Sequence, residues 1–103
     1  MAQFVLYRNL DAATRRHYPC FLDVQHPLLD DLHTRLVAPM GRPGDFRPIE
    51  RLNPVFETEE GPLVMLAQQL TTVPSSALKA PLESLEMHRA AILSAIDFLI
   101  TGI

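Results

Sequence analysis

Along the first eighty residues, apolar positions recur at a spacing of two, in short runs cut by prolines. Residues 3–8 (QFVLYR) put Phe4 and Leu6 on one face and Val5 and Tyr7 on the other, the pattern of a half-buried strand. Residues 20–25 (CFLDVQ) repeat it, with Leu22 and Val24 alternating against Phe21 and Asp23. Residues 35–38 and 63–66 read as further strands, and 68–73 (QQLTTV) continues the latter after a bend. The nine prolines leave few windows that could hold a helix of several turns, because interior proline removes a donor and clashes with the preceding turn. Gly41, Arg42, Pro43 and Gly44 mark a loop, and Glu59, Glu60, Gly61 and Pro62 a hairpin turn.

After Pro81 the period changes to that of a helix. Ser84 is placed to cap its start and Glu86 lies in its first turn, where the helix dipole favours negative charge. Leu85, Ile92, Ile96, Leu99 and Ile103 form one stripe, while Leu93, Phe98 and Ile100 fall outside it. Such a helix is expected to be buried on more than one side, either because the sheet wraps around it or because its free face meets another subunit. The pattern predicts a mostly β fold with a C-terminal α-helix: an antiparallel sheet or partly open barrel, forming one domain over residues 1–103.

Composition narrows the class. The 103 residues are 48% hydrophobic and 20% charged with a net charge of −3, too apolar for disorder and too acidic for a general nucleic-acid binder. No secretory leader is read in the first residues, and the apolar stretch near the C-terminus is interrupted by Asp97, so a cytoplasmic protein with no membrane association is expected. Residues 1–51 hold seven Arg against six acids, so an acidic peptide partner is one reading and a merely soluble surface the other.

Catalytic and metal signatures are missing. The lone Cys20 lies in an apolar strand and reads as a small buried hydrophobe. His17, His26, His33 and His88 match no paired metal spacing, no phosphate or nucleophile motif occurs, and Asp30 and Asp31, adjacent in sequence, point apart. No metal, cofactor or enzymatic role is implied. The ending Ile100, Thr101, Gly102 and Ile103 is less easily dismissed. Gly102 can close the helix in the left-handed conformation, and an apolar Ile103 beyond it gains little for a core. It reads as a contact residue, with fraying as the plain alternative.

The ordered set of segments resembles the CcdB family: the strand containing Gln3 and Phe4; residues 21–25 (FLDVQ) followed by Leu28, Leu29 and Asp30; 35–39 (RLVAP); 52–54 (LNP); 64–66 with 71–74; and 95–103 (AIDFLITGI). The resemblance implies an SH3-like, partly open antiparallel barrel with a long C-terminal helix. It implies a homodimeric toxin that binds the DNA gyrase A subunit and traps the cleaved-DNA complex without catalysis of its own. A CcdA-type antitoxin, disordered until bound, neutralises it, and operator DNA is met only indirectly, through the antitoxin. Carried over by position, the gyrase-binding residues are Thr101, Gly102 and Ile103, with Asp97 and Ile100 one turn earlier and Leu28 and Leu29 nearby. The best-known plasmid member has Trp where this chain has Thr101, a departure that bears on affinity. Charge placement makes Arg8, Arg15 and Arg16 the candidates for the antitoxin site. Two alternatives stay open: a non-toxic antitoxin-binding relative, and an endoribonuclease toxin of the MazF/PemK type on the same fold, using His17 or His33 with Arg35.

Overall fold

A computed structural model describes residues 3–103; Met1 and Ala2, the start of the segment read as lacking a leader, lie outside the described residues. Among the described residues, seven strands form one antiparallel sheet: β1 (Val5–Arg8), β2 (Cys20–Asp23), β3 (Thr34–Gly41), β4 (Val55–Thr58), β5 (Gly61–Met65), β6 (Thr71–Pro74) and β7 (Pro81–Ser84), followed by one α-helix, α1 (Arg89–Thr101). The order β4-β5-β3-β2-β1-β7, with β6 also on β3, curls the sheet into a half-open barrel, as the pattern predicted. Among the described residues no helix is long and apolar enough to cross a membrane.

β3 organises the sheet. One edge pairs with β2, while the other is shared: Thr34–Val37 faces β6, and Met40 and Gly41 face β5. The strand expected at 35–38 therefore runs on through Pro39. The Pro39 carbonyl accepts from the Leu66 N–H at 3.0 Å, so its donorless nitrogen faces the same edge, at the gap between β6 and β5. The proline falls where no ladder bond is required. The run expected at 68–73 is split by a 3-10 turn, Ala67–Gln69, which carries the chain from β5 to β6.

The alternation read at 3–8 holds. Phe4, Leu6, Leu22, Ala38, Met40, Leu63, Met65, Leu85, Ile92 and Ala95 share the main core on one face of the sheet. Tyr7, Val37 and Leu78 form a smaller cluster on the other, with Val5, Phe21 and Val73 against it. β1 starts later than expected because Phe4 is left-handed (φ 66°), its N–H donating to Asp23 O at 2.6 Å and its carbonyl accepting from Leu85 at 2.7 Å. β2 stops at Asp23, whose carboxylate accepts from the Gln25 N–H at 3.0 Å and turns the chain away from the ladder. The expected hairpin is present, with Thr58 opposite Gly61 and Gly61 at φ 85°.

The helix is shorter and less buried than its sequence pattern predicts. Ser84 Oγ accepts from the Glu86 N–H at 3.1 Å but caps no helix: the cap of the 3-10 turn Glu86–His88 is Leu85, that of α1 is His88, neither with a side-chain cap bond, and α1 begins only at Arg89. Ile92 and Ala95 are buried, and α1 packs on the Ala67–Gln69 turn. Leu99 is 39% exposed and Ile103 80%, so the lower half of the stripe reaches past the elements that cover its upper half. The expectation of burial on more than one side fails within one chain for that reason. Cys20 is fully buried, and that burial, reinforced by Glu60, pushes its thiol up to about 11.

Candidate functional site

Two exposed apolar features coincide with the residues singled out at the helix end and after β2. At the helix end, Gly102 adopts φ 73° and its N–H closes on Phe98 O at 2.8 Å, the left-handed termination its sequence predicts. Thr101 Oγ1 donates to Asp97 O at 2.8 Å and accepts from the Ile103 N–H at 3.3 Å. The hydroxyl thus orders the residues beyond the helix, leaving Ile100 at 75% and Ile103 at 80% exposure. Asp97 stands one turn back, its side chain 63% exposed.

Sequence reasoning missed Arg51. It occupies a left-handed conformation (φ 69°) in the loop before β4. Its Nε donates to Ser94 Oγ at 2.9 Å, its guanidinium lies 3.7 Å from the Asp97 carboxylate, and its Cζ sits 5.1 Å from the Phe98 ring centre. One side chain therefore clamps successive turns of α1 and faces Asp97 from the side. Nothing in its neighbourhood along the chain signals this, since the partners lie more than forty residues away.

After β2, a 3-10 turn (Pro27–Leu29) presents Leu28, 86% exposed, and Leu29, 49% exposed. The His26 ring Nδ1 accepts from the Leu28 N–H at 3.1 Å, and Pro27 supplies the fixed φ that starts such a turn. The elements on which α1 chiefly packs are the Ala67–Gln69 and Glu86–His88 turns, not this one. Of the other histidines, His88 stacks on Phe56 at 4.6 Å, and His17 and His33 serve through backbone bonds to Thr14 and Ser75.

The arginines separate. Arg8 pairs with Glu60 at 3.0 Å, and Arg8, Arg15 and Arg42 line a cleft of about 280 Å³ with Asn9, Leu10, Pro19 and Glu60. Arg16 is exposed and outside that lining, whereas Arg42, read above only as a loop residue, belongs to it. The loop carrying Arg15 is built on Asn9, 2% exposed, whose amide donates to Thr14 Oγ1 at 3.0 Å and Tyr18 O at 2.8 Å. Three cations against one acid leave the cleft with a positive formal balance.

No curated protein matches the chain. Comparison with protein-family models matches residues 3–102 to the family described as CcdB protein. With that match spanning nearly the whole chain, the protein belongs to the CcdB family, the toxins of toxin–antitoxin pairs.

Proposed function

We propose that this protein is a cytoplasmic gyrase poison: it binds the DNA gyrase A subunit and holds the complex in which DNA is cleaved, without itself catalysing a reaction. The observation that carries the reading is the end of α1. Ile100 and Ile103 are 75% and 80% exposed, yet the segment that bears them is ordered by the Gly102 and Thr101 hydrogen bonds. Exposed leucine and isoleucine held in one conformation gain nothing for the fold but lower the entropy lost on binding. Thr101 has no aromatic anchor to offer, so its contribution is the cap, and the apolar contact falls to Ile100, Ile103, Leu28 and Leu29.

The protein acts as a homodimer, a reading supported by Leu93 and Leu99, which are 38% and 39% exposed on a helix of apolar composition. A CcdA-type antitoxin neutralises it by laying acidic residues of its disordered segment into the cleft of Arg8, Arg15 and Arg42. Arg16 then serves at the rim, and operator DNA is reached through the antitoxin, in keeping with the net charge of −3.

The test is calorimetric titration of the gyrase A breakage–reunion domain with the intact protein and with a variant lacking Gly102 and Ile103. Binding by the intact protein and none by the truncated one, at equal melting temperature, is the expected result. Equal binding by both removes the helix end from the site, and binding by neither removes gyrase as the partner.

A further inference from the structure

The least expected feature of the molecule lies beneath the Pro27–Leu29 turn. Arg35, on β3, is 1% exposed, an unusual fate for a guanidinium in a chain of this size. Its Nε and one terminal nitrogen grip Asp23 Oδ2 at 3.0 and 2.7 Å, and Asp23 is fully buried. The other terminal nitrogen donates to Asp30, the residue that closes the turn. Gln25, 8% exposed, completes the platform: its amide nitrogen donates to Leu29 O at 2.9 Å and Thr34 O at 3.3 Å, and its Oε1 accepts from the Leu36 N–H at 2.9 Å. The far end of the loop is held by the Ser75 N–H, which donates to His33 O at 2.8 Å.

Stability does not explain this arrangement. A buried ion pair roughly breaks even against apolar side chains of similar volume, since desolvation offsets the Coulomb attraction. An 86% exposed Leu28 at the apex contributes nothing to the core either. The two unfavourable choices make sense together: three fully bonded polar side chains fix both ends of a loop whose summit is a bare leucine. The Ser75–Ala77 turn, which shows no large apolar residue, has no side-chain cap.

We propose that Arg35 is a positioning residue which, with Asp23 and Gln25, locks Asp30 and thereby holds Leu28 outward as a rigid apolar knob for a pocket on the partner protein. The proposal rests on the reading that Leu28 and Leu29 belong to the gyrase-contacting surface. Arg35 touches no partner; it acts through the loop. Lysine would not serve, because one ammonium cannot reach Asp23 and Asp30 with the planar fork that a guanidinium supplies.

The experiment uses the full-length chain with D30A, D30N, L28A and the D30A/L28A pair. D30A removes the outer carboxylate, whose side chain is 41% exposed, and leaves the Arg35–Asp23 pair in place. D30N keeps an acceptor oxygen for Arg35. Amide exchange at Leu28, Leu29 and Asp30 is measured without any partner, and calorimetry follows binding to the gyrase A breakage–reunion domain. D30A is expected to speed exchange at these three amides by about tenfold and to weaken binding by about tenfold, with D30N restoring most of both. The pair is expected to bind no more weakly than L28A alone. Unchanged exchange in D30A, or losses that multiply in the pair, would overturn the positioning role while leaving the contact reading intact. An L28A variant that binds as tightly as the parent would overturn the contact reading, and the positioning role with it.

Discussion

Leu28 and Ile103 are 86% and 80% exposed, but they are held by different kinds of bond. The helix end is ordered locally: Gly102 reaches Phe98, and Thr101 reaches Asp97 and Ile103, all within one turn. The Leu28 turn is ordered from below by Arg35, whose partner Asp23 lies twelve residues away on another strand. The first arrangement can be removed without touching the core, and the second cannot. An apolar contact at a chain end therefore costs the fold little, whereas one in a loop between strands is tied to the sheet that carries it.

Breaking the deeper side of this contrast should have the largest effect. Arg35→Ala leaves Asp23 charged and fully buried with its guanidinium partner gone, and should destabilise the protein by about 3–5 kcal/mol in urea unfolding. A loss below about 1 kcal/mol would mean that water reaches Asp23 and that the platform is softer than its burial implies.

At the local end, Gly102→Ala places a Cβ at φ 73° in open space, so the cost is conformational and not steric. It should come to about 1 kcal/mol, and because it is spent on the last turn it should appear as faster exchange near position 102 with little change in melting. A large melting shift would show that the helix end supports the fold and is not simply presented by it.

Cys20 sharpens the comparison from the core side. Its thiol stands at about 11 in the folded chain against an ordinary 9.0, so the folded state holds the proton more tightly than the unfolded state. Stability should be flat below about pH 9 and fall as the pH rises through about 11, a slope that Cys20→Ala removes. Denaturant unfolding between pH 8 and 11 reads this directly. Retention of the slope in the variant would assign it to other groups.

How much of this could be read from the chain follows the same division between local and distant causes. The two faces of residues 3–8, the hairpin turn before Gly61 and the left-handed Gly102 depend on neighbours in sequence and were legible. β4 and β7 were not: each pairs along one edge only, and Pro81 opens β7 where a proline normally argues against a strand. The passage of β3 through Pro39 depends on a gap between two other strands, which no local pattern reveals. The helix start was misread because Ser84 bonds the Glu86 N–H without being the cap of either helix, and a 3-10 turn intervenes before α1. In the candidate site, Gly102 and Ile103 could be named from their own chemistry. Arg51, Arg42 and the bonds of Arg35 could not, because each is defined by residues brought together only by the fold.

The most direct measurement is the fate of supercoiled plasmid incubated with gyrase and this protein, then treated with detergent and protease. Accumulation of linear DNA, lost when Gly102 and Ile103 are removed, is the result expected of a gyrase poison that acts through the end of α1. Plasmid left supercoiled by an intact, folded protein would contradict it, and degradation of added RNA in the same tube would point to the endoribonuclease alternative.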